Sequence, residues 1–139
     1  MTQGSIRVLA LEDDPDTLEV FSLLLTPEDG YALDRCDTVD GCLACLQRAA
    51  TAGEPYAVLV IDLLLSQGHT GVEVIEAARA NRALRVPPIV ICTAVSPAKM
   101  DTYKPALDGF DTRIIFKPFD LDALQATIRA AAGLGPPSP

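Results

Sequence analysis

The chain has 139 residues, 49% of them hydrophobic and 22% charged, with a formal net charge of −8. That length suits one domain able to bury about two-thirds of its unfolded surface, and the composition excludes a disordered chain. Acidity without clustered Lys and Arg argues against direct nucleic-acid binding, and no apolar run is long enough to span a bilayer.

Met1–Ser5 carries no signal-peptide pattern, so the four cysteines read as reduced thiols of a cytoplasmic protein with no membrane partner. Ile6–Leu11 is a short branched apolar run, predicted as a buried strand, that ends abruptly in Glu12-Asp13-Asp14. Pro15 suits the first turn of a helix, with Asp14 as its cap and Leu18, Phe21, Leu24 and Leu25 at helical spacing. Pro27 and Gly30 stop that helix. Tyr31–Cys36 alternates as a half-buried strand does, and Asp37-Thr38 caps a second helix marked by Val39, Cys42, Leu43, Leu46 and Ala50.

Gly53 and Pro55 lead into Tyr56–Leu65, an unbroken apolar run apart from Asp62, which fits a central parallel strand covered on both faces. A charge among such neighbours is costly unless it is paired or sits at the strand's edge. Ser66–Gly71 is a loop by composition, and Val72, Val74, Ile75 and Ala78 mark a third helix running towards Asn81. Pro87-Pro88 introduces another buried strand, Ile89–Thr93. Ser96-Pro97 starts a fourth helix that Pro105 should leave short, kinked or ragged. Arg113–Phe116 reads as a fifth strand before Lys117-Pro118, and Asp120 opens a last helix through Leu121, Leu124, Ile128 and Ala131, closed by Gly133. The expected organisation is one domain over 1–133, with residues 134–139 a Pro-rich tail or the start of a linker.

Five strands alternating with five helical patterns imply an α/β fold, a parallel sheet with helices on both faces in three layers. Functional groups in such sheets gather at the carboxyl ends of the strands. Glu12, Asp13, Asp62, Thr93 and Lys117 each follow or end a proposed strand. Three carboxylates together repel one another unless cations share the site. Lys117 supplies one positive charge, and the remaining deficit invites a hard divalent ion such as Mg²⁺ on oxygen ligands. That set suits phosphoryl transfer, with Asp62 as the nucleophile that becomes an aspartyl phosphate and Thr93 and Lys117 holding phosphoryl oxygens.

These residues resemble the receiver domain of two-component response regulators, the family of the bacterial chemotaxis response regulator, from Ile6 to about Gly133. The resemblance implies a flavodoxin-like doubly wound sheet of strand order 2-1-3-4-5. It further implies that Asp13, Asp62 and the main-chain carbonyl of Leu64 contact Mg²⁺, that Glu12 acts through water, and that the Lys117-Pro118 bond is cis. The implied partners are a histidine kinase or histidine phosphotransfer protein upstream and an output protein or domain downstream, with a homodimer also allowed. The protein would then be a phosphoacceptor assisting its own phosphoryl transfer and dephosphorylation, not a turnover enzyme.

The chain departs from the family at several positions. Ser66 stands where the family usually has proline, Gly71 arrives one residue late, and one residue is inserted between Ser66 and Thr70. Asp108–Thr112 is also one residue long, and Ile114 replaces the usual switch Tyr or Phe. Leu64 and Val95 occupy positions that place the hydrolytic water in relatives, and both are apolar, so the acyl phosphate is expected to persist. These departures motivate one alternative, a degenerate receiver that binds partners without phosphorylation. A second alternative, a small phosphohydrolase with an aspartyl nucleophile, asks for an acid two residues later, where this chain has Leu64.

Cys42-Leu43-Ala44-Cys45 spells a CxxC, but inside an amphipathic helix it reads as small buried thiols. Cys36 and Cys92 read as strand core. His69, the only histidine, reads as a solvated loop residue, so a phosphohistidine must come from a partner.

Overall fold

The computed structural model describes residues 5–135. Strand β1 (Ile6–Leu11) gives way to helix α1 (Pro15–Leu24) at Asp14, whose carboxylate accepts from the Thr17 amide at 3.3 Å and from its hydroxyl at 2.6 Å. Pro15 opens the helix where no intrahelical N–H is needed. A 3-10 turn at Pro27–Asp29 then ends on Gly30, whose φ of 90° favours glycine, and strand β2 (Tyr31–Cys36) comes after it. Thr38 caps helix α2 (Val39–Ala52) by accepting from the Gly41 amide at 3.0 Å.

Strand β3 (Val58–Ile61), helix α3 (Val72–Ala80) and strand β4 (Ile89–Thr93) come next. Helices α4 (Pro97–Met100) and α5 (Lys104–Leu107), strand β5 (Thr112–Phe116) and helix α6 (Leu121–Ala131) complete the order. Ser96 caps α4 and Asp120 caps α6. The expected ragged fourth helix is thus two four-residue helices. Pro105 falls in the first turn of the second, where its missing N–H costs nothing but where a helix running through from Pro97 would need it.

The strands form one parallel sheet of order β2-β1-β3-β4-β5, the doubly wound arrangement expected. Side-chain alternation divides its core. Leu9, Leu11, Leu59, Ile61, Ile89 and Ile91 face α2, α3, α4 and α5, whereas the smaller Val8, Ala10, Val58, Val60, Val90 and Cys92 face α1 and α6. Each of these large side chains is fully buried, a contribution of about 1.5–3 kcal/mol apiece. Phe21 and Phe119, with ring centroids 6.5 Å apart, fill the space left by the smaller set.

The central run pairs only over Val58–Ile61. Beyond Asp62 the chain leaves the ladder, so Leu63 stays buried while Leu64 is 45% exposed. The last helix closes with hydrogen bonds from the Gly133 amide to the Ala130 carbonyl and from the Leu134 amide to the Arg129 carbonyl, at 3.1 and 2.8 Å. Residues 136–139 of the expected tail lie outside the described residues.

Candidate functional site

The sheet register brings Leu11, Ile61 and Ile91 into one row, so the residues just past these strands arrive at the same edge. Glu12 and Asp62 stand one residue past β1 and β3, Thr93 ends β4, and Lys117 comes directly after β5. Backbone bonds continue the ladder into the site: the Asp62 amide donates to the Leu11 carbonyl at 3.1 Å and the Lys117 amide to the Thr93 carbonyl at 2.8 Å. Glu12, Asp62 and Thr93 are the buried polar residues among those described, at 1%, 6% and 0% exposure.

The Lys117 ammonium joins two of the carboxylates, donating to Glu12 Oε1 at 2.5 Å and Asp62 Oδ2 at 3.0 Å. Backbone amides hold the other oxygens: Leu64 donates to Asp62 Oδ1 at 3.1 Å and Asp14 to Glu12 Oε2 at 3.4 Å. Burial pushes the Glu12 carboxyl above the usual carboxylate range, the Lys117 hydrogen bond opposing and the Asp62 charge reinforcing it. For Lys117 burial acts to lower the pKa, yet the hydrogen bonds and charges of Glu12 and Asp62 outweigh it and leave it raised. The Thr93 hydroxyl accepts from the Val95 amide at 3.2 Å, which leaves its own hydrogen free to donate. The Lys117-Pro118 bond is cis.

Asp13 sits differently. Its Oδ2 accepts from the Ser66 amide, and it lines a hollow of about 480 Å³ together with Asp37, Asp40, Ser66 and Glu73. Lys117 does not reach it, and among the described residues no three carboxylates, thiols or imidazoles converge tightly enough to ligate one ion. The uncharged and acidic side chains buried with Asp62, those of Glu12 and Thr93, nonetheless offer a metal only oxygen. Cys92, the cysteine nearest in charge terms, is pushed up to about 12 by burial, eased by Lys117, and stays a thiol. Oxygen donors without thiolate or imidazole fit Mg²⁺.

Two features of the site escaped the sequence. Gly71 packs so closely that a Cβ there would lie 2.3 Å from the Asp62 carbonyl oxygen, against which only glycine fits. A glycine where helix α3 would otherwise take a capping side chain is the signal that could have found it. The amides of Leu64 and Ser66, which bond Asp62 and Asp13, carry no sequence signal because every residue but proline has one. His69 is exposed, its Nδ1 lying 3.1 Å from Glu73, away from the Lys117 cluster. In the CxxC, Cys42 is fully buried and its thiol is pushed up by the hydrogen bond with Cys36 and by burial, while Cys45 is partly buried and accepts from Arg48.

The model of the response regulator receiver domain matches residues 8–129. The chain is 36% identical over 133 residues to the transcriptional regulatory protein TcrA of Mycobacterium tuberculosis, which covers 96% of this chain and 48% of that protein. It spans about half the length of the curated relatives it matches. Chemotaxis protein CheY4 of Vibrio cholerae superposes with a TM-score of 0.74 at 25% identity, over 92% of this chain and 99% of that one. The receiver domain of the Pseudomonas aeruginosa sensor histidine kinase PA1611, solved with a magnesium ion in its active-site cleft, gives 0.72 at 22% identity, over 94% and 99%. Strand order, the groups at the sheet's edge and these likenesses agree, and the chain belongs to the response regulator receiver domain family.

Proposed function

We propose that the chain accepts a phosphoryl group on Asp62 from a partner's phosphohistidine, with Mg²⁺, and that partners distinguish its two forms. The observation that carries this reading is the single ammonium of Lys117 bridging Asp62 and Glu12 at the carboxyl edge of the sheet. A carboxylate oxygen of Asp62 attacks phosphorus, the bond from phosphorus to the donor imidazole breaks, and the imidazole leaves with a proton. Lys117 then pairs with one phosphoryl oxygen and the Thr93 hydroxyl donates to another.

Glu12, Asp13, Asp62 and the Leu64 carbonyl are the residues that would hold the metal, Glu12 through water. Bound Mg²⁺ supplies positive charge against the phosphoryl oxygens. The magnesium-bound receiver domain of PA1611 supports that choice by fold. The upstream partner is a histidine kinase or histidine phosphotransfer protein, since the chain's own histidine, His69, lies outside the site. The transcriptional relatives support an output protein or domain downstream. Among the described residues no helix is long and apolar enough to cross a membrane, which accords with a cytoplasmic setting.

Incubation with acetyl phosphate and Mg²⁺ should add one phosphoryl mass to the protein and none to Asp62→Asn. No adduct on the unmodified protein would favour the degenerate receiver, for which the packing of Ile114 into the core beside Ile91 also speaks. Steady turnover of a generic phosphate ester would favour the phosphohydrolase, although the residue two after Asp62 is the apolar Leu64.

A further inference from the structure

Of the three carboxylates at the sheet's edge, Glu12 and Asp62 are bonded to Lys117, whereas Asp13 is bonded to the β3–α3 loop. Its acceptor oxygen meets the main-chain N–H of Ser66 and its side chain borders the hollow between the β2–α2 and β3–α3 loops. The loop is built to hold that amide in place. The Leu65 amide donates to the His69 carbonyl at 2.9 Å, and the Thr70 amide donates to the Glu73 carboxylate at 2.7 Å. Gln67 completes the turn at a φ of 61°, left-handed backbone that a non-glycine residue enters only at a cost.

We propose that the Ser66 main-chain N–H is a positioning group that holds Asp13 out of the cation site, so that cation binding and the conformation of the Ser66–Thr70 loop are coupled. The proposal rests on the reading of Asp13 as a metal ligand. For Asp13 to serve a cation beside Asp62, its carboxylate must leave the Ser66 amide, and a hydrogen bond to a charged acceptor is among the stronger ones a protein makes. A proline at position 66 has no N–H and could not make this contact. The backbone there already accepts one: Leu65 is extended, with φ −114° and ψ 166°, as residues before proline are, and Ser66 opens a 3-10 turn.

The test is the affinity for Mg²⁺ alone, measured by isothermal titration calorimetry on the unmodified protein, Ser66→Pro and Ser66→Ala, together with amide hydrogen exchange at Ser66. Ser66→Pro should bind Mg²⁺ about ten-fold tighter, and Ser66→Ala, which keeps the amide, should match the unmodified protein. Saturating Mg²⁺ should speed exchange of the Ser66 amide in the unmodified protein, a readout that holds whether or not the proline variant folds. Equal affinity in all three proteins with unchanged exchange at Ser66 overturns the proposal and leaves the metal reading intact. Tighter binding by Ser66→Ala also overturns it, since the hydroxyl would then be responsible. No Mg²⁺ binding by any of the three overturns the metal reading itself.

Discussion

Lys117 gathers in one ammonium what would otherwise be two buried carboxylates in repulsion, and its pKa is raised by them. An unfolded lysine titrates near about 10.4, so the stabilisation is complete below that pH and is lost as pH rises through the higher folded value. Lys117→Met should therefore lower stability near neutral pH by about 3 kcal/mol, because it leaves buried charge uncompensated. The gap between the two proteins should narrow above about pH 10, as urea midpoints measured across the alkaline range would record. Tyr31 presents the opposite case. It is 2% exposed, and its hydroxyl finds no hydrogen-bond partner among the described residues. Removing an unsatisfied buried hydroxyl relieves its desolvation penalty, so Tyr31→Phe should raise stability by about 1 kcal/mol, read from the same midpoint.

At the scale of elements, the junction from β3 to α3 decides how Asp62 is held. Gly71→Ala would press a methyl group into the Asp62 carbonyl, so it should cost about 2 kcal/mol or more and displace the carboxylate from Lys117. A lower urea midpoint together with slower phosphorylation by acetyl phosphate checks this. Leu64 and Val95 bear on how long an acyl phosphate would last. Leu64 is 45% exposed and Val95 only 4%, so an acid at 95 would disturb the core whereas Leu64→Asn changes a side chain already facing solvent. Leu64→Asn should lose phosphoryl label severalfold faster than the unmodified protein.

The capping residues of these elements were legible: Asp14, Thr38, Ser96 and Asp120 each cap where spacing placed them, because caps are local chemistry. Gly71 was not legible as a contact, since close approach to Asp62 exists only once α3 is docked on β3. Nor was the Ser66 amide, which acts through backbone. The end of β3 at Ile61 also escaped, because apolar character continues to Leu65 while the hydrogen-bond ladder does not.

Over the whole molecule, a parallel sheet gathers groups from distant points in the chain by ending its strands at one edge. Glu12 and Lys117 are 105 residues apart and meet at 2.5 Å. Hydrophobic runs and breakers made that convergence readable, since order and alternation of elements constrain topology strongly. The division of the sheet into a face of Leu and Ile and a face of Val, Ala and Cys was present in the sequence as odd and even positions. The position of Asp13 was not, because its carboxylate answers to a main-chain amide of the loop after β3. In the proposed function Asp62 itself carries the phosphoryl group. Protein treated with acetyl phosphate and Mg²⁺, then reduced with borohydride and digested, should yield homoserine at position 62, the product of an aspartyl phosphate there. Homoserine at position 13 instead, or at no position in protein that carries the added mass, would contradict it.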